Sequence, residues 1–154
     1  MKTDKTTNTL TSILRSADAD TFQSYLDHNK ESLAPDNRPF STYIRSLLRE
    51  KGIRQQNVFI AADISEGYGY KLISEEKHTR QRDIILRLCL AGKLTLDETQ
   101  RALKLYRMSP LYARIPRDAA LIIAFNTGTH EISDVDAFLT KHGFEPLLPC
   151  TPAE

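Results

Sequence analysis

The sequence is poor in the residues that build tight turns, covalent crosslinks and metal sites. Among 154 residues there are 6 glycines, 2 cysteines and no tryptophan. So few glycines disfavour a β-rich chain, which needs many turns with positive φ. Cys89 and Cys150 show no CxxC spacing, so we predict no zinc or redox site. Cys89 lies in an apolar run typical of buried cysteine, and nothing requires a disulfide between the two.

No segment has the composition of a membrane-spanning or export sequence. No apolar run approaches the roughly 18 residues that a spanning helix needs, and the N-terminus, MKTDKTTNTLTS, lacks the apolar stretch of a secretory signal. The motifs HExxH and GxSxG and the Walker loop are absent, and the 4 histidines have no ligand-like spacing. We therefore expect a cytoplasmic protein that is not an enzyme, has no metal or cofactor, and does not contact membranes.

Charge is distributed unevenly, although the net charge is only +1. Residues 77–117 carry ten basic and three acidic side chains, a net of +7, whereas residues 118–154 carry a net of −5. Residues 40–76 are balanced, with five of each sign. A basic middle and an acidic end are compatible with phosphate contact, with intramolecular docking and with association of two chains, and the sequence leaves these alternatives open.

Apolar residues recur with helical spacing along the chain, and no segment alternates convincingly as a strand does. The pattern predicts an all-α fold, an orthogonal array of about eight to nine short helices. Gly52 suits the end of one helix, and Thr95 with Glu98 forms a capping box that opens another. The predicted helices span about 8–16, 18–30, 39–51, 54–62, 66–74, 81–91, 96–107, 117–126 and 134–142. Asp18, Ser133 and Asp118 are expected to cap the helices that they open or adjoin.

Prolines and polar residues over 32–39 interrupt the helical pattern and predict a linker. This break divides the chain into predicted parts. Residues 1–38 form an N-terminal helical extension with its linker, and residues 39–92 form a helix-turn-helix domain. A C-terminal helical extension packs on that domain over 93–146, and 147–154 is an extended tail that is frayed at its end.

Two short helices joined by about three residues lie within 54–74, which is the order of a helix-turn-helix. In such units the second helix crosses the major groove while its neighbours touch the backbone. The run IRQQNVFIAADIS (53–65) resembles the second helix and turn of lambda-repressor-like (XRE-type) domains, and the apolar helix 81–91 matches their fourth helix. The resemblance implies a DNA-binding transcriptional regulator in which Gln55 lies near a phosphate.

The resemblance is closer to one bacterial branch of that family. This branch joins GYGYKLISEEKHTRQRD (67–83) to a downstream block, ETQRALKLYRMSPLYARIPRDA (98–119), which generic repressor domains lack. The likeness covers about residues 40–126. It departs from the family at Asp63, which stands where glycine is common, and aspartate tolerates the left-handed conformation better than most residues.

The candidate DNA contacts belong to the first helix of this unit, to its second helix and to the basic segment 77–117. Within the second helix Lys71 is the only cation, and Gly67 and Gly69 each cost about 1 kcal/mol relative to alanine. For Arg82 the alternative is a local ion pair with Asp83. The predicted contact residues are Gln55, Gln56, Ser65, Glu66, Tyr68, Tyr70, Lys71, Lys77, His78, Arg80 and Arg82.

Two functions stay open from the sequence. The first is a regulator that binds double-stranded DNA as a homodimer, because two half-sites match a two-fold axis. The second is a non-catalytic interaction or signalling module that keeps the fold without reading DNA. Its protein partner would contact the N-terminal helices or the block 95–126.

Overall fold

The computed structural model describes residues 6–29 and 38–149, and these residues are all-helical, with nine α-helices and no strand. The prediction of an all-α fold is confirmed. No helix within these residues is long and apolar enough to cross a membrane. The helices are α1 (Thr7–Arg15), α2 (Phe22–His28), α3 (Pro39–Lys51), α4 (Gln55–Ala62), α5 (Glu66–Ile73), α6 (Arg82–Ala91), α7 (Leu96–Leu105), α8 (Pro116–Asn126) and α9 (Ile132–Lys141).

The chain divides into two compact units, of which the first contains α1 and α2. Asp18 does not cap α2 as predicted. It exchanges hydrogen bonds with Thr21, whose backbone N–H donates to Asp18 Oδ1 at 3.0 Å while the Asp18 N–H donates to Thr21 Oγ1 at 2.8 Å. This local turn precedes α2, so the helix begins only at Phe22. The greater part of the predicted linker, 32–37, lies outside the described residues.

The second unit contains α3 to α9 around a central helix, α6. Residues 83–91 of α6 are all buried, and this helix packs against α4, α7 and α9. Helix α7 also packs against α3, and α8 lies against α7 and α9. The helices of 93–149 therefore share one hydrophobic core with the helices of 38–92.

Local sequence signals set several helix ends in this unit. The capping box before α7 is confirmed, since the Glu98 N–H donates to Thr95 Oγ1 at 3.2 Å and the Thr95 N–H donates to Glu98 Oε1 at 2.9 Å. Gly52, with φ of 69°, ends α3 in the left-handed conformation. Ser133 does not cap α9 as predicted, because the helix already starts at Ile132 and its N-cap residue is Glu131.

The C-terminal segment is anchored further than the sequence predicts. Leu147 is 1% exposed, and its N–H donates to Asp136 Oδ1 at 2.8 Å. The Leu148 N–H donates to Asp83 Oδ2 at 3.0 Å. Leu147 and Leu148, which belong to the predicted tail, are therefore held by the folded unit. Residues 150–154, where the frayed end is predicted, lie outside the described part of the chain.

Candidate nucleic-acid interface

The α4–α5 unit, defined as residues 55–73, consists of two eight-residue helices joined by a three-residue turn, 63–65. Asp63 adopts φ 56° and ψ 48°, the left-handed conformation predicted for it. The Ile64 N–H donates to the Phe59 carbonyl at 2.9 Å, and the Ile64 side chain is buried. The change of direction between the helices is thus fixed by one left-handed residue and by one buried side chain next to it.

Helix α5 buries one side and exposes the other. Tyr68, a predicted DNA contact, is 5% exposed and belongs to the hydrophobic core, so it is removed from the candidate surface. Tyr70 is 42% exposed, and its ring packs edge-on against Phe59 at a centroid distance of 4.9 Å. The other predicted contacts in this segment divide into exposed Ser65 and Glu66 and half-buried Lys71.

The two glycines of α5 have different environments. A β-carbon at Gly69 would come within 3 Å of three atoms of the Phe59 ring. Glycine is therefore required there for α5 to approach α4 closely. A β-carbon at Gly67 would meet no atom within 4 Å, so the fold does not require this second glycine.

Three arginines form a basic pocket beside the α4–α5 unit, and sequence analysis missed them. The arginine pocket has a volume of about 410 Å³. Arg45, Arg49 and Arg54 are exposed, and none of them forms an ion pair with a residue in the described ranges. The pocket is lined by Arg45, Leu48, Arg49, Ile53, Arg54, Gln55, Gln56 and Tyr70.

Two of the predicted contacts, Gln55 and Gln56, therefore belong to this pocket together with Tyr70. Gln55 is the first residue of α4. Its side-chain Oε1 is buried and has no hydrogen-bond partner among the described residues. The N-terminus of α4 and the three guanidinium groups thus line the same pocket. Backbone N–H groups at a helix N-terminus have no partner within the helix.

The signal for the pocket was present in the sequence. Arg45 and Arg49 are four residues apart, which places them on one flank of α3, away from the core positions of that helix. The net charge of 40–76 gave no sign of these arginines, because five acidic residues balance the five basic ones. None of the acidic residues lines the pocket. Net charge counted along each face of a helix reveals the arginines, whereas net charge counted over the whole segment does not.

Three of the ten cations of 77–117, namely Arg82, Arg87 and Arg117, bind groups within the fold. Arg82, a predicted phosphate contact, donates through Nη1 to Asp118 Oδ2 at 3.2 Å and to the carbonyls of Ser109 and Pro110. It is an internal ion-pair residue, and its assignment to a DNA surface is corrected. The alternative of a local pair with Asp83 is also wrong, since Asp83 pairs with Arg117.

Asp118 lies in the first turn of α8 as predicted, but its side chain makes no capping hydrogen bond to the helix. Its side chain is 1% exposed and accepts from the Tyr112 N–H at 2.9 Å as well as from Arg82. The N-cap position of α8 is taken by Ile115. Asp118 therefore anchors the irregular segment before α8 rather than the end of the helix.

The loop after α5 is held by α3 and by the end of α7. Glu75 Oε2 accepts from the Ser41 N–H in the first turn of α3 at 3.2 Å. The Thr79 N–H donates to the Tyr106 hydroxyl at 2.9 Å, and the His78 ring stacks on the Tyr106 ring at 4.0 Å. This predicted contact, His78, therefore has a packing role in the loop.

The exposed cations of 77–117 do not all lie beside the arginine pocket. Lys77 and Arg80, both predicted contacts, are exposed. Arg101 of α7 lies over the Tyr43 ring at 5.4 Å. Tyr43 and Arg45 are two residues apart on α3, so they project about 160° apart around the helix. Arg101 therefore lies on a different flank of α3 from the arginine pocket.

Comparison of the chain with protein-family models, with curated proteins and with solved structures finds no match. The geometry of the α4–α5 unit and of the arginine pocket therefore carries the functional argument.

Proposed function

We propose that this protein is a DNA-binding transcriptional regulator of the helix-turn-helix type. It inserts α5 into the major groove and holds the neighbouring phosphates in the arginine pocket. The observation that supports this is the position of Tyr70, which is exposed on α5 and also lines the pocket formed by Arg45, Arg49 and Arg54. The proposed reading helix is thereby adjacent to three guanidinium groups that form no ion pair with any described residue.

The chemistry of the two surfaces fits the two tasks of DNA recognition. Guanidinium groups donate in a fork that matches phosphate oxygens, and the N-terminus of α4 adds backbone donors. Such contacts fix orientation but carry no sequence information directly. On α5, exposed Glu66 offers acceptors to cytosine N4. The pocket thus supplies affinity, and the first turn of α5 supplies specificity.

The pocket also explains how α5 could bind DNA although its only charged residues are Glu66 and Lys71. Glu66 repels phosphate, and Lys71 is half-buried, so α5 by itself contributes little attraction. The three arginines supply the favourable electrostatic contribution, with exposed Lys77 and Arg80 as further phosphate contacts. We assign the main phosphate surface to 45–54 rather than to the whole segment 77–117.

The test is selection of duplex DNA from a random pool by the purified protein, followed by fluorescence anisotropy on the enriched sequence at increasing salt. We expect an enriched motif with two related half-sites, since regulators of this type bind as homodimers in the cytoplasm. The logarithm of the binding constant should fall with the logarithm of salt concentration with a slope of roughly −5 or steeper, given three phosphate contacts in each of the two subunits. Folded protein that binds no duplex at low salt contradicts the proposal.

A second candidate is a protein-interaction module, which one observation favours. Tyr112, Ile115 and Ile123, in and beside α8, are 53%, 46% and 52% exposed, and all three lie in the block 95–126. A module of this kind would use these exposed apolar side chains and leave the arginine pocket without a role. Ile123→Lys then abolishes complex formation with its protein partner, whereas Arg49→Ala does not.

A further inference from the structure

The strap, defined as residues 145–148, is bound through its main chain by charged side chains of three helices. Arg117 of α8 donates from Nε to the Glu145 carbonyl and from Nη2 to the Pro146 carbonyl, both at 3.1 Å. Asp136 of α9 accepts the Leu147 N–H at 2.8 Å. Hydrogen bonds to ionised groups are stronger than neutral ones. These contacts therefore hold the main chain of the strap firmly against the helices.

Two residues of α6, one helical turn apart, hold the end of the strap. Asp83 Oδ2 accepts the Leu148 N–H at 3.0 Å, and Arg87 Nε donates to the Leu148 carbonyl at 2.7 Å. Arg87 Nη2 donates to the Leu147 carbonyl at 3.2 Å. The donor and the acceptor of Leu148 are thus both satisfied from the same face of α6.

Arg87 also reaches the α4–α5 unit. Its Nη1 donates to the carbonyl of Ala62 at 3.0 Å, and Ala62 is the last residue of α4. Carbonyls at a helix C-terminus have no partner within the helix, and this one immediately precedes the left-handed Asp63. Arg87 is 7% exposed. A single buried guanidinium therefore joins the strap to the turn that sets the direction of α5.

We propose that Arg87 is a positioning residue for the reading helix and that the seated strap holds Arg87 in place. With the strap seated, three carbonyls fix the guanidinium, and the Ala62 carbonyl has a rigid donor. With the strap released, two of those three contacts are lost, and the turn 63–65 gains freedom. An effect of the strap on DNA binding rests on the proposed function. The coupling between the strap and the turn 63–65 does not.

Native-state hydrogen exchange tests the coupling without DNA. Asp136→Ala removes the acceptor of the Leu147 N–H from a helix outside the α4–α5 unit. We expect the exchange rates of the Ile64 and Gly69 amides, which bond to Phe59 and Ser65, to rise roughly fivefold or more relative to that of the Thr99 amide in α7. The matched control is Asp134→Ala, which removes the same charge from an exposed position of α9 and should leave this ratio unchanged.

An increase confined to residues 144–149 and α9 would overturn the proposal. The role of Arg87 is tested further with Arg87→Lys, whose single ammonium group does not span the strap and the turn together. In that background Asp136→Ala should cause no additional increase at Ile64, because the connection is already broken. Independent, additive increases would show that the coupling does not pass through Arg87. The Asp136→Ala measurement decides the proposal by itself if Arg87→Lys does not fold.

Binding to the selected duplex separates this inference from the function on which it rests. Asp136→Ala should weaken DNA binding roughly fivefold relative to Asp134→Ala, which carries the same net charge. Faster exchange at the turn with unchanged DNA affinity would show that the strap does not position α5 for reading. If the unsubstituted protein binds no duplex, the proposed function fails, and the exchange experiment still decides the coupling.

Discussion

Arg117 and Asp83 form a two-pronged ion pair between α8 and α6, with Nη1 3.0 Å from Oδ1 and Nη2 2.9 Å from Oδ2. Their chain neighbours are paired as well, since Arg82 contacts Asp118. Two Arg-Asp dipeptides, 82–83 and 117–118, are thus joined crosswise. The crossed pairs hold α8 against the central helix. They also neutralise two cations of the basic segment 77–117, Arg82 and Arg117, which the sequence leaves open as phosphate contacts.

Replacement of Arg117 by alanine should lower the free energy of unfolding by about 2 to 3 kcal/mol. It leaves the Asp83 carboxylate, whose side chain is 10% exposed, without its cation, and it removes the donors to the Glu145 and Pro146 carbonyls. Urea denaturation followed by circular dichroism measures the change. Arg114→Ala is the control, because Arg114 is exposed and its loss should change stability by less than about 0.5 kcal/mol. Equal effects of the two substitutions would show that the two-pronged pair contributes nothing specific.

The two glycines of α5 should respond oppositely to alanine. Gly67→Ala should stabilise the protein by about 0.5 to 1 kcal/mol, since the added methyl group meets open space and alanine is the better helix former. Gly69→Ala should destabilise it by about 1 to 3 kcal/mol or more, because the methyl group meets the Phe59 ring. Urea denaturation of both variants checks the prediction, and a stabilising Gly69→Ala would contradict the close packing of α4 and α5.

The proposed DNA binding should weaken in a salt-dependent way when one arginine is removed from the pocket. Arg49→Ala should make the slope of log binding constant against log salt less steep by about 1.8, the contribution of one phosphate contact in each of the two subunits. Lys104→Ala removes the same charge from an exposed position on α7 and should leave the slope unchanged. Anisotropy titrations at several salt concentrations measure both slopes, and identical changes would indicate a general effect of net charge.

Acidification should destabilise the protein through His130. Burial lowers the pKa of His130 from 6.5, and the nearby Lys93 and Lys51 lower it further. The unfolded state therefore binds a proton more readily than the folded state, so this contribution to stability is complete above about pH 6.5 and is lost as pH falls below it. The free energy of unfolding should decrease less between about pH 7.5 and 5.5 in His130→Gln than in the unsubstituted protein. An equal decrease in both proteins would exclude this contribution.

The sequence by itself determined the helical fold, because the signals for it are local. Apolar spacing marks the buried faces of helices, and single residues such as Gly52, Asp63 and Thr95 fix helix ends through conformations and hydrogen bonds within a few positions. Where a local alternative competed, the boundary moved, as at Asp18, whose side chain bonds to Thr21 instead of capping α2.

Only the tertiary structure decided which side chains form the candidate surface. Tyr68 and Tyr70 look equivalent in sequence, yet the packing of α5 on α4 buries the first and exposes the second. The roles of Arg82 and Arg87 depend on groups 25 to 61 residues away along the chain. Charge and polarity are properties of a single residue, whereas the partner that satisfies them is a property of the packed fold.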